Sequence, residues 1–197
     1  MSVVTKTLCA VAVCGALSAP AQSAVIFSDN FDSYTAGLNV TDFAGNWTVT
    51  NGTVDVIGNG YFDFYPGNGL YIDLDGSTSD AGDFSSKALN VAAGTYTLEF
   101  VLSGSTRGES NTVDVSFGSY NETFNLTSDA PVTIYTRTVN FASNSLASVV
   151  FKNGGGDNMG ALLLNVSVAS VPEAETAAMM LAGLGIMGSI VRRRKST

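Results

Sequence analysis

The side chains that could carry chemistry in this sequence are carboxylates. The chain contains no histidine, and its two cysteines, Cys9 and Cys14, both lie near the N-terminus. Catalysis by a serine–histidine–aspartate or a cysteine–histidine arrangement is therefore excluded, and the commonest zinc ligand is missing. Hydrolysis of a glycosidic bond by two carboxyl groups ~5–10 Å apart is the chemistry that remains. Because no spacing in the sequence pairs two acids, we predict no catalytic residue.

Aspartates cluster in the stretch DLDGSTSD, which contains Asp73, Asp75 and Asp80. Calcium prefers carboxylate and loop carbonyl oxygens, so the composition suits a hard cation. The stretch departs from the EF-hand pattern, because Gly76 follows Asp75 directly. Asp-Gly is also a common turn pair. A plain turn is the favoured interpretation.

Aromatic residues cluster in the stretch YFDFYPGNGLY, which begins at Tyr61. Aromatic rings stack on sugar rings, and polar neighbours orient the sugar hydroxyls. Strand alternation would place Tyr61, Asp63 and Tyr65 on one face. It would place Phe62 and Phe64 on the other face, which we assign to the core. The first three residues are the candidate glycan contacts.

The charge distribution argues against a nucleic-acid partner. The 197 residues carry a net charge of -8, and residues 25–170 hold fifteen acidic but only four basic side chains. An acidic surface repels phosphate groups. We predict no nucleic-acid binding and a water-soluble body.

The elements that must position these side chains are β-strands. In TYTLEFVLSG, Tyr96, Leu98 and Phe100 alternate with polar residues, as in a half-buried strand. TVDVSFGS and ALLLNVSVA show similar patterns. Further candidate strands are residues 25–31, 47–57, 61–65, 69–74, 84–91, 121–127, 132–141 and 147–152. Many short strands separated by Gly, Asn and Asp turns predict an all-β, antiparallel, jelly-roll-like β-sandwich over residues 25–170.

The N-terminal residues 1–24 have the layout of a secretory signal peptide. Lys6 precedes a short apolar stretch, Leu8 to Leu17, and small residues follow up to Ala24. This order of charge, apolar core and small residues is typical of a cleaved export signal. We expect the protein to be exported.

The C-terminus combines an apolar run with a basic cluster. Residues 176–191 carry no charge, and as a helix they would span ~24 Å, enough to cross a locally thinned bilayer. The cluster consists of Arg192, Arg193, Arg194 and Lys195. Cations directly after a span favour the cytoplasmic side. We predict a single transmembrane helix with the body outside.

The last 27 residues resemble a PEP-CTERM sorting signal. The resemblance is carried by Val171, Pro172 and Glu173, followed by the apolar run and the basic cluster. It implies processing by an exosortase-type membrane enzyme, a transient inner-membrane anchor, and then release to the cell surface or outside. In this family a second proline usually follows the Pro-Glu pair, whereas here Ala174 stands at that position. The predicted organisation is therefore signal peptide 1–24, β-sandwich 25–170 and sorting tail 171–197, with the motif at 171–174.

The body resembles the galactose-binding-like β-sandwiches found in some PEP-CTERM proteins. The matching stretches are FDSYTAG, LYIDLDGSTSDAG, AAGTYTLEFVLSGSTRG, TVDVSFGSYNETF and GGGDNMGALLLNVSV. The resemblance implies that the first and last strands pair and hold a structural Ca²⁺, for which Asp29, Asp32 and Asn165 are the candidates. Family members usually show Asp-Asn-Val in the last strand, and here Leu164 stands in place of that acid. No other cofactor is predicted.

Together these features predict an exported, non-enzymatic envelope or extracellular-matrix protein with weak carbohydrate binding and an exopolysaccharide partner. Two alternatives remain open. One is a carboxylate-dependent, polysaccharide-active enzyme, and the other is a purely structural surface protein without a small ligand.

Overall fold

Short strands built on alternating apolar residues dominate the computed structural model, which describes residues 23–78, 80–172, 181 and 183–188. Within these residues the strands are β1 (Val25–Asp29), β2 (Gly37–Val40), β3 (Trp47–Thr50), β4 (Val54–Gly58), β5 (Leu70–Asp73), β6 (Asp83–Ser86), β7 (Leu89–Val91), β8 (Gly94–Ser103), β9 (Asn111–Phe117), β10 (Tyr120–Leu126), β11 (Thr133–Phe141), β12 (Ser145–Ala147), β13 (Val149–Asn153) and β14 (Leu162–Val171).

The strands form two main sheets. The seven-stranded sheet has the order β11-β8-β14-β5-β4-β2, with β1 also paired to β14. The five-stranded sheet has the order β10-β9-β13-β6-β3, and β12 and β7 form a separate pair. The ladders within both sheets are antiparallel. The prediction of an all-β antiparallel sandwich is confirmed.

The core lies between the two sheets and follows the predicted alternation. In β8, Tyr96, Leu98 and Phe100 are buried in the core cluster, as the sequence predicted. The Phe100 ring packs edge-to-face against Phe124 of β10 and Phe151 of β13, both in the opposite sheet. Burying one large apolar side chain contributes ~1.5–3 kcal/mol. These contacts across the core therefore hold the sheets together.

Part of the outer face of the seven-stranded sheet is also covered. Ile57, Tyr71, Leu162 and Leu164 form a second, smaller buried cluster on β4, β5 and β14. Phe64 and Tyr65, from the loop between β4 and β5, pack on it. We call residues 59–69 the β4–β5 loop. This loop forms a partial third layer and creates the site described below.

Several predicted strands are wrong in detail. Residues 61–65 form no strand, because Asn59 and Phe62 adopt the left-handed region with φ of 51° and 45°. The predicted strand 47–57 is two strands, since Asn51, with φ of 63°, ends β3 before β4 begins. The predicted strands 84–91 and 147–152 are each split as well, and β2 was not predicted.

The C-terminal segment is described only in part. Leu181 and residues 183–188 are helical. Among the residues that the structure describes, no helix is both long and apolar enough to cross a membrane. Most of the predicted span 176–191, and all of Arg192, Arg193, Arg194 and Lys195, lie outside the described residues.

Candidate functional site

A cavity of ≈ 290 Å³ lies on the outer face of the seven-stranded sheet. Strands β2, β4 and β5 and four loops contribute to its walls. The lining residues are Leu38, Asp55, Ile57, Phe62, Phe64, Asp73, Ser77, Arg107 and Asn158. Both carboxylates and aromatic rings therefore face the same small space.

The floor of the cavity carries two facing carboxylates. Asp55 in β4 lies directly opposite Asp73 in β5, and cross-strand neighbours of this kind have Cβ atoms ~4.5–5.5 Å apart. Their strand neighbours Val54, Val56 and Ile72 belong to the core, so alternation directs both acids to the outer face. Asp55 is 4% exposed and Asp73 is 1% exposed. Burial this deep requires hydrogen-bond partners for both carboxylates.

Asp55 ties two neighbouring segments to the cavity floor. Its Oδ1 accepts hydrogen bonds from the Asn39 amide of β2 at 2.7 Å and from the Ser77 amide at 3.2 Å. Its Oδ2 accepts the Ser77 hydroxyl at 2.7 Å. The carboxylate therefore fixes the position of β2 relative to the loop after β5.

Asp73 forms an ion pair with Arg107, which comes from the loop between β8 and β9. The same guanidinium donates from Nη1 to the Asn158 carbonyl at 2.6 Å and lies 5.0 Å from the ring centroid of Phe64. Burial raises the pKa of Asp73 to about 7, although the charge of Arg107 acts in the opposite direction. The cavity therefore holds an acid that titrates near neutral pH.

Asp75 folds the loop that supplies Asn158. It is fully buried, and its Oδ2 accepts the amides of Gly156 at 3.0 Å, Asp157 at 3.3 Å and Asn158 at 3.2 Å. Burial raises the pKa of Asp75. A side chain at Gly160 would overlap the Asp75 amide and Asp73. The favoured interpretation of DLDGSTSD as a plain turn is therefore incomplete. Its first two acids, Asp73 and Asp75, also position residues of the cavity.

The aromatic wall of the cavity is formed by Phe62 and Phe64. Phe62 is 56% exposed, so the prediction that it belongs to the core is wrong, and Phe64 is only partly buried. The prediction assumed strand alternation, whereas the segment is a loop. An exposed phenylalanine beside buried carboxylates offers one apolar and one polar surface to a ligand.

The Tyr71 hydroxyl holds the β4–β5 loop in place. It accepts the amides of Phe64 at 2.6 Å and Tyr65 at 3.1 Å, and it donates to Asp63 Oδ1 at 3.1 Å. Burial raises the pKa of Tyr71 to about 12. The wall residues are therefore positioned by a buried side chain that does not line the cavity itself.

The predicted glycan contacts lie in the same loop but are not among the described residues that line the cavity. Tyr61 is 39% exposed and packs edge-to-face on Phe62, with centroids 4.9 Å apart. Asp63 accepts the Tyr71 hydroxyl and the Gly60 amide. Tyr65 donates its hydroxyl to backbone carbonyls. A glycan-contact role for Tyr61, Asp63 and Tyr65 stays a prediction.

Asp29, the first calcium candidate, is fully engaged with protein donors. Its Oδ1 accepts the Phe31 amide at 2.8 Å, and its Oδ2 accepts the Tyr34 hydroxyl at 2.6 Å and Trp47 Nε1 at 2.8 Å. Burial and the hydrogen bond to Asp29 raise the pKa of Tyr34 to about 12. Asp29 therefore fastens the first loop to the buried Trp47.

The other two calcium candidates, Asp32 and Asn165, differ from Asp29 in their surroundings. Asp32 accepts the Leu70 amide at 2.9 Å and the Asn30 side chain at 2.8 Å. Asp29 is opposite Val166 in the β1–β14 ladder, so alternation places Asn165 on the other face of the sheet. In the described part of the chain, no group of three or more His, Cys, Asp or Glu residues could hold a metal ion. The calcium site stays a prediction.

Sequence reasoning missed Asp55, Arg107 and Asn158 as parts of one site. The available signal was one acid in each of two apolar strands, VDVIG and LYID. Both acids occupy positions that strand alternation directs to the outer face of the sheet. Nothing local linked these strands to Arg107, which lies 34 residues from Asp73.

The fold is that of the β-sandwich found in carbohydrate-binding modules. The body is similar to the CBM22-1 xylan-binding domain of Paenibacillus barcinonensis Xyn10C, at 14% identity and a TM-score of 0.53, covering 79% of this chain and all of that one. It also matches the CBM6cm-2 module of Cellvibrio mixtus lichenase 5A, solved with cellotriose, at 13% identity and a TM-score of 0.41, covering 75% and 99% of the two chains. The first match confirms, at the level of fold, the predicted galactose-binding-like β-sandwich.

The C-terminal segment carries a PEP-CTERM protein-sorting motif, which matches residues 170–195. The predicted resemblance is thereby confirmed, and the motif implies export and sorting to the cell surface. Val171 ends β14 and Pro172 follows it, while Glu173 and Ala174 lie outside the described residues. No curated protein matches the chain by sequence.

Proposed function

We propose that this protein is an exported, non-enzymatic carbohydrate-binding protein, and that the cavity on β4 and β5 is its binding site. The observation that carries the proposal is the pairing of an exposed aromatic wall, Phe62, with the buried carboxylates Asp55 and Asp73. A sugar ring has apolar C–H faces and a rim of hydroxyls. The faces suit an aromatic ring, and the hydroxyls can donate to carboxylates.

The same wall gives a direct test. We expect Phe62→Ala to weaken binding at least tenfold, because losing one ring contact of ~1.5 kcal/mol corresponds to about that factor. The measurement is titration calorimetry with the best ligand from a panel of neutral β-linked oligosaccharides. Ile134→Ala, which removes a similarly exposed apolar side chain from β11, should leave the affinity unchanged.

The outcomes separate the alternatives. Equal affinity of Phe62→Ala and the parent protein would place the ligand elsewhere. A parent protein that binds no glycan in the panel, at millimolar concentrations, would reject carbohydrate binding and favour a purely structural surface protein.

An enzyme is the second candidate, and one observation favours it. Asp55 and Asp73 face each other, and burial raises the pKa of Asp73 to about 7, which is the pattern of an acid paired with a second carboxylate in glycoside hydrolysis. Against this, Asp73 is already bound to Arg107. We expect no release of reducing ends from polysaccharides. Release that disappears in Asp73→Asn would establish the enzyme instead.

The tail is proposed to act as a temporary anchor. In this proposal residues 1–24 are removed on export, residues 176–191 span the inner membrane, and the basic cluster at 192–195 stays in the cytosol. An exosortase-type enzyme then cuts near the motif, leaving the body 25–170 at the surface or in exopolysaccharide. The matched motif supports this arrangement.

Mass spectrometry of the exported protein tests the tail. We expect a mature C-terminus close to Pro172 in a host that has the processing enzyme. The same protein should keep its C-terminus in a host without that enzyme. Recovery of intact Lys195 from the culture medium of the first host would contradict processing.

A further inference from the structure

Toward the middle of the sheet, the cavity is bordered by Arg107. Arg107 crosses there, joined to Asp73 on the cavity floor and to the carbonyl of Asn158 in the loop after β13. Its guanidinium also lies over Phe64 of the β4–β5 loop. One side chain thus connects the floor and two loops, and forms a wall.

The sheet surface next to that wall is covered as well. Tyr65 packs on the outer cluster formed by Ile57, Tyr71, Leu162 and Leu164. Its hydroxyl donates to the carbonyls of Ala130 at 3.3 Å and Gly104 at 3.5 Å. A polysaccharide chain cannot leave the cavity along β14 and β8 without displacing Tyr65 and Arg107.

The opposite border of the cavity carries exposed side chains. There the cavity is bordered by Leu38 of β2, the edge strand of the sheet, and by Phe62 of the β4–β5 loop. Leu38 is 39% exposed and Phe62 is 56% exposed. A ligand that approached from this edge would find Asp55 and Asp73 on the floor and Arg107 at the far border.

The size of the cavity agrees with this shape. At ≈ 290 Å³ its volume is just below the ~300–1,000 Å³ range of ligand pockets. One pyranose ring with its hydroxyls fits such a volume, whereas a run of several rings does not.

From the Arg107 border, the sheet surface covered by Tyr65, the exposed residues at the edge and the volume, we propose that the cavity binds the terminal ring of a glycan, either a chain end or a single-residue branch, and does not bind the interior of a chain. This inference rests on the proposed carbohydrate-binding function and specifies the kind of ligand that the site accepts.

A length series tests the inference with the unmodified exported body. The probes are xylose to xylohexaose and glucose to cellohexaose, measured by titration calorimetry. For the series that binds, we expect the affinity to reach a plateau at two rings, with less than about a twofold change from two to six rings. A rise of tenfold or more between two and six rings would show binding along the chain and overturn the inference.

Polymer depletion gives an independent readout. An unbranched polysaccharide of the sugar that binds, partially hydrolysed to a fivefold shorter mean length, has about five times as many ends per gram. We expect the amount of protein bound per gram at saturation to rise by a similar factor. Unchanged capacity would overturn end recognition while leaving carbohydrate binding intact, and absence of binding to every probe would reject the proposed function itself.

Discussion

Replacement of Asp29 by alanine is expected to lower the free energy of unfolding by roughly 2–4 kcal/mol. The carboxylate accepts three hydrogen bonds, from the Phe31 amide, the Tyr34 hydroxyl and Trp47 Nε1. A partly buried donor left without an acceptor costs ~1–3 kcal/mol. Trp47 also stacks on Phe84 at a centroid distance of 4.2 Å, so its indole cannot turn to solvent without breaking core packing.

Urea denaturation followed by tryptophan fluorescence is a suitable measurement, since Trp47 is the single tryptophan. Asp29→Asn should lower the free energy of unfolding by less than Asp29→Ala does, because the amide oxygen of asparagine still accepts one or two of these hydrogen bonds. Asp42→Ala is the matched control: Asp42 is exposed and accepts only a local amide bond, from Ala44. A loss below about 1 kcal/mol for Asp29→Ala would show that these hydrogen bonds contribute little.

The same denaturation curves decide the role of the calcium candidates. If Asp29 stabilises the fold by hydrogen bonding alone, Asp29→Ala lowers the free energy of unfolding by the same amount with a chelator as with millimolar calcium. A parent protein that is stabilised by calcium, with that gain absent in Asp29→Ala, would instead support the predicted metal site at Asp29, Asp32 and Asn165.

We also expect the free energy of unfolding to decrease as the pH rises toward neutrality. Burial raises the pKa of Asp73 to about 7, whereas an unfolded aspartate has a pKa of ~3.9. Between these values the folded protein retains a proton that the unfolded chain has released. The free energy of unfolding therefore falls as pH increases through this window and levels off above it. At ~1.4 kcal/mol per pH unit, about 3 kcal/mol is lost between pH 5 and pH 8.

The other acidic groups with shifted pKa values do not reverse this decrease in stability. Burial also raises the pKa of Asp75, which acts in the same direction. The hydrogen bond with Arg137 lowers the pKa of Glu122. Burial alone would raise the pKa of Asp83, but the hydrogen bonds from Lys152 and Asn51 and the charge of Lys152 together lower it. Stability from these two lowered groups is lost only as the pH falls below about 4.

Denaturation at pH 5 and pH 8 measures the effect, and Asp73→Asn isolates its source. In this variant the difference between the two pH values should shrink by more than half. The comparison is made within each variant, since at pH 8 the substitution also removes the charged partner of Arg107. Asp129→Asn, an exposed change, should keep the full difference. An Asp73→Asn protein with the parent's pH dependence would contradict the assignment.

The fold could be predicted because its signal is local. Tyr96, Leu98 and Phe100 alternate along β8, and an alternating strand must bury one face. Strand boundaries were harder to predict from the sequence, because they depend on backbone conformations such as the positive φ of Asn51 and Phe62. Only a few per cent of residues other than glycine adopt such values, so the sequence gives little warning of them.

The site could not be predicted in the same way, because distant segments assemble it. The pairing of Asp55 with Asp73 depends on the β4–β5 register, and the position of Arg107 depends on where a separate loop crosses the sheet. The aromatic stretch at residues 61–71, which the sequence analysis singled out, contributes Phe62 and Phe64 to the cavity. The sequence directed attention to the tyrosines because strand alternation was assumed, whereas the loop turns Phe62 toward the cavity.

The placement of β14 has a mechanical consequence. The motif begins where this strand ends, and β14 pairs with β8 along nearly its whole length, from Leu162 to Val171. On its other side it pairs with β5 and β1. Tension applied at Pro172 along the direction of β14 would load many of these hydrogen bonds in shear at once, instead of breaking them one by one. A body tethered by this end would therefore resist unfolding by force.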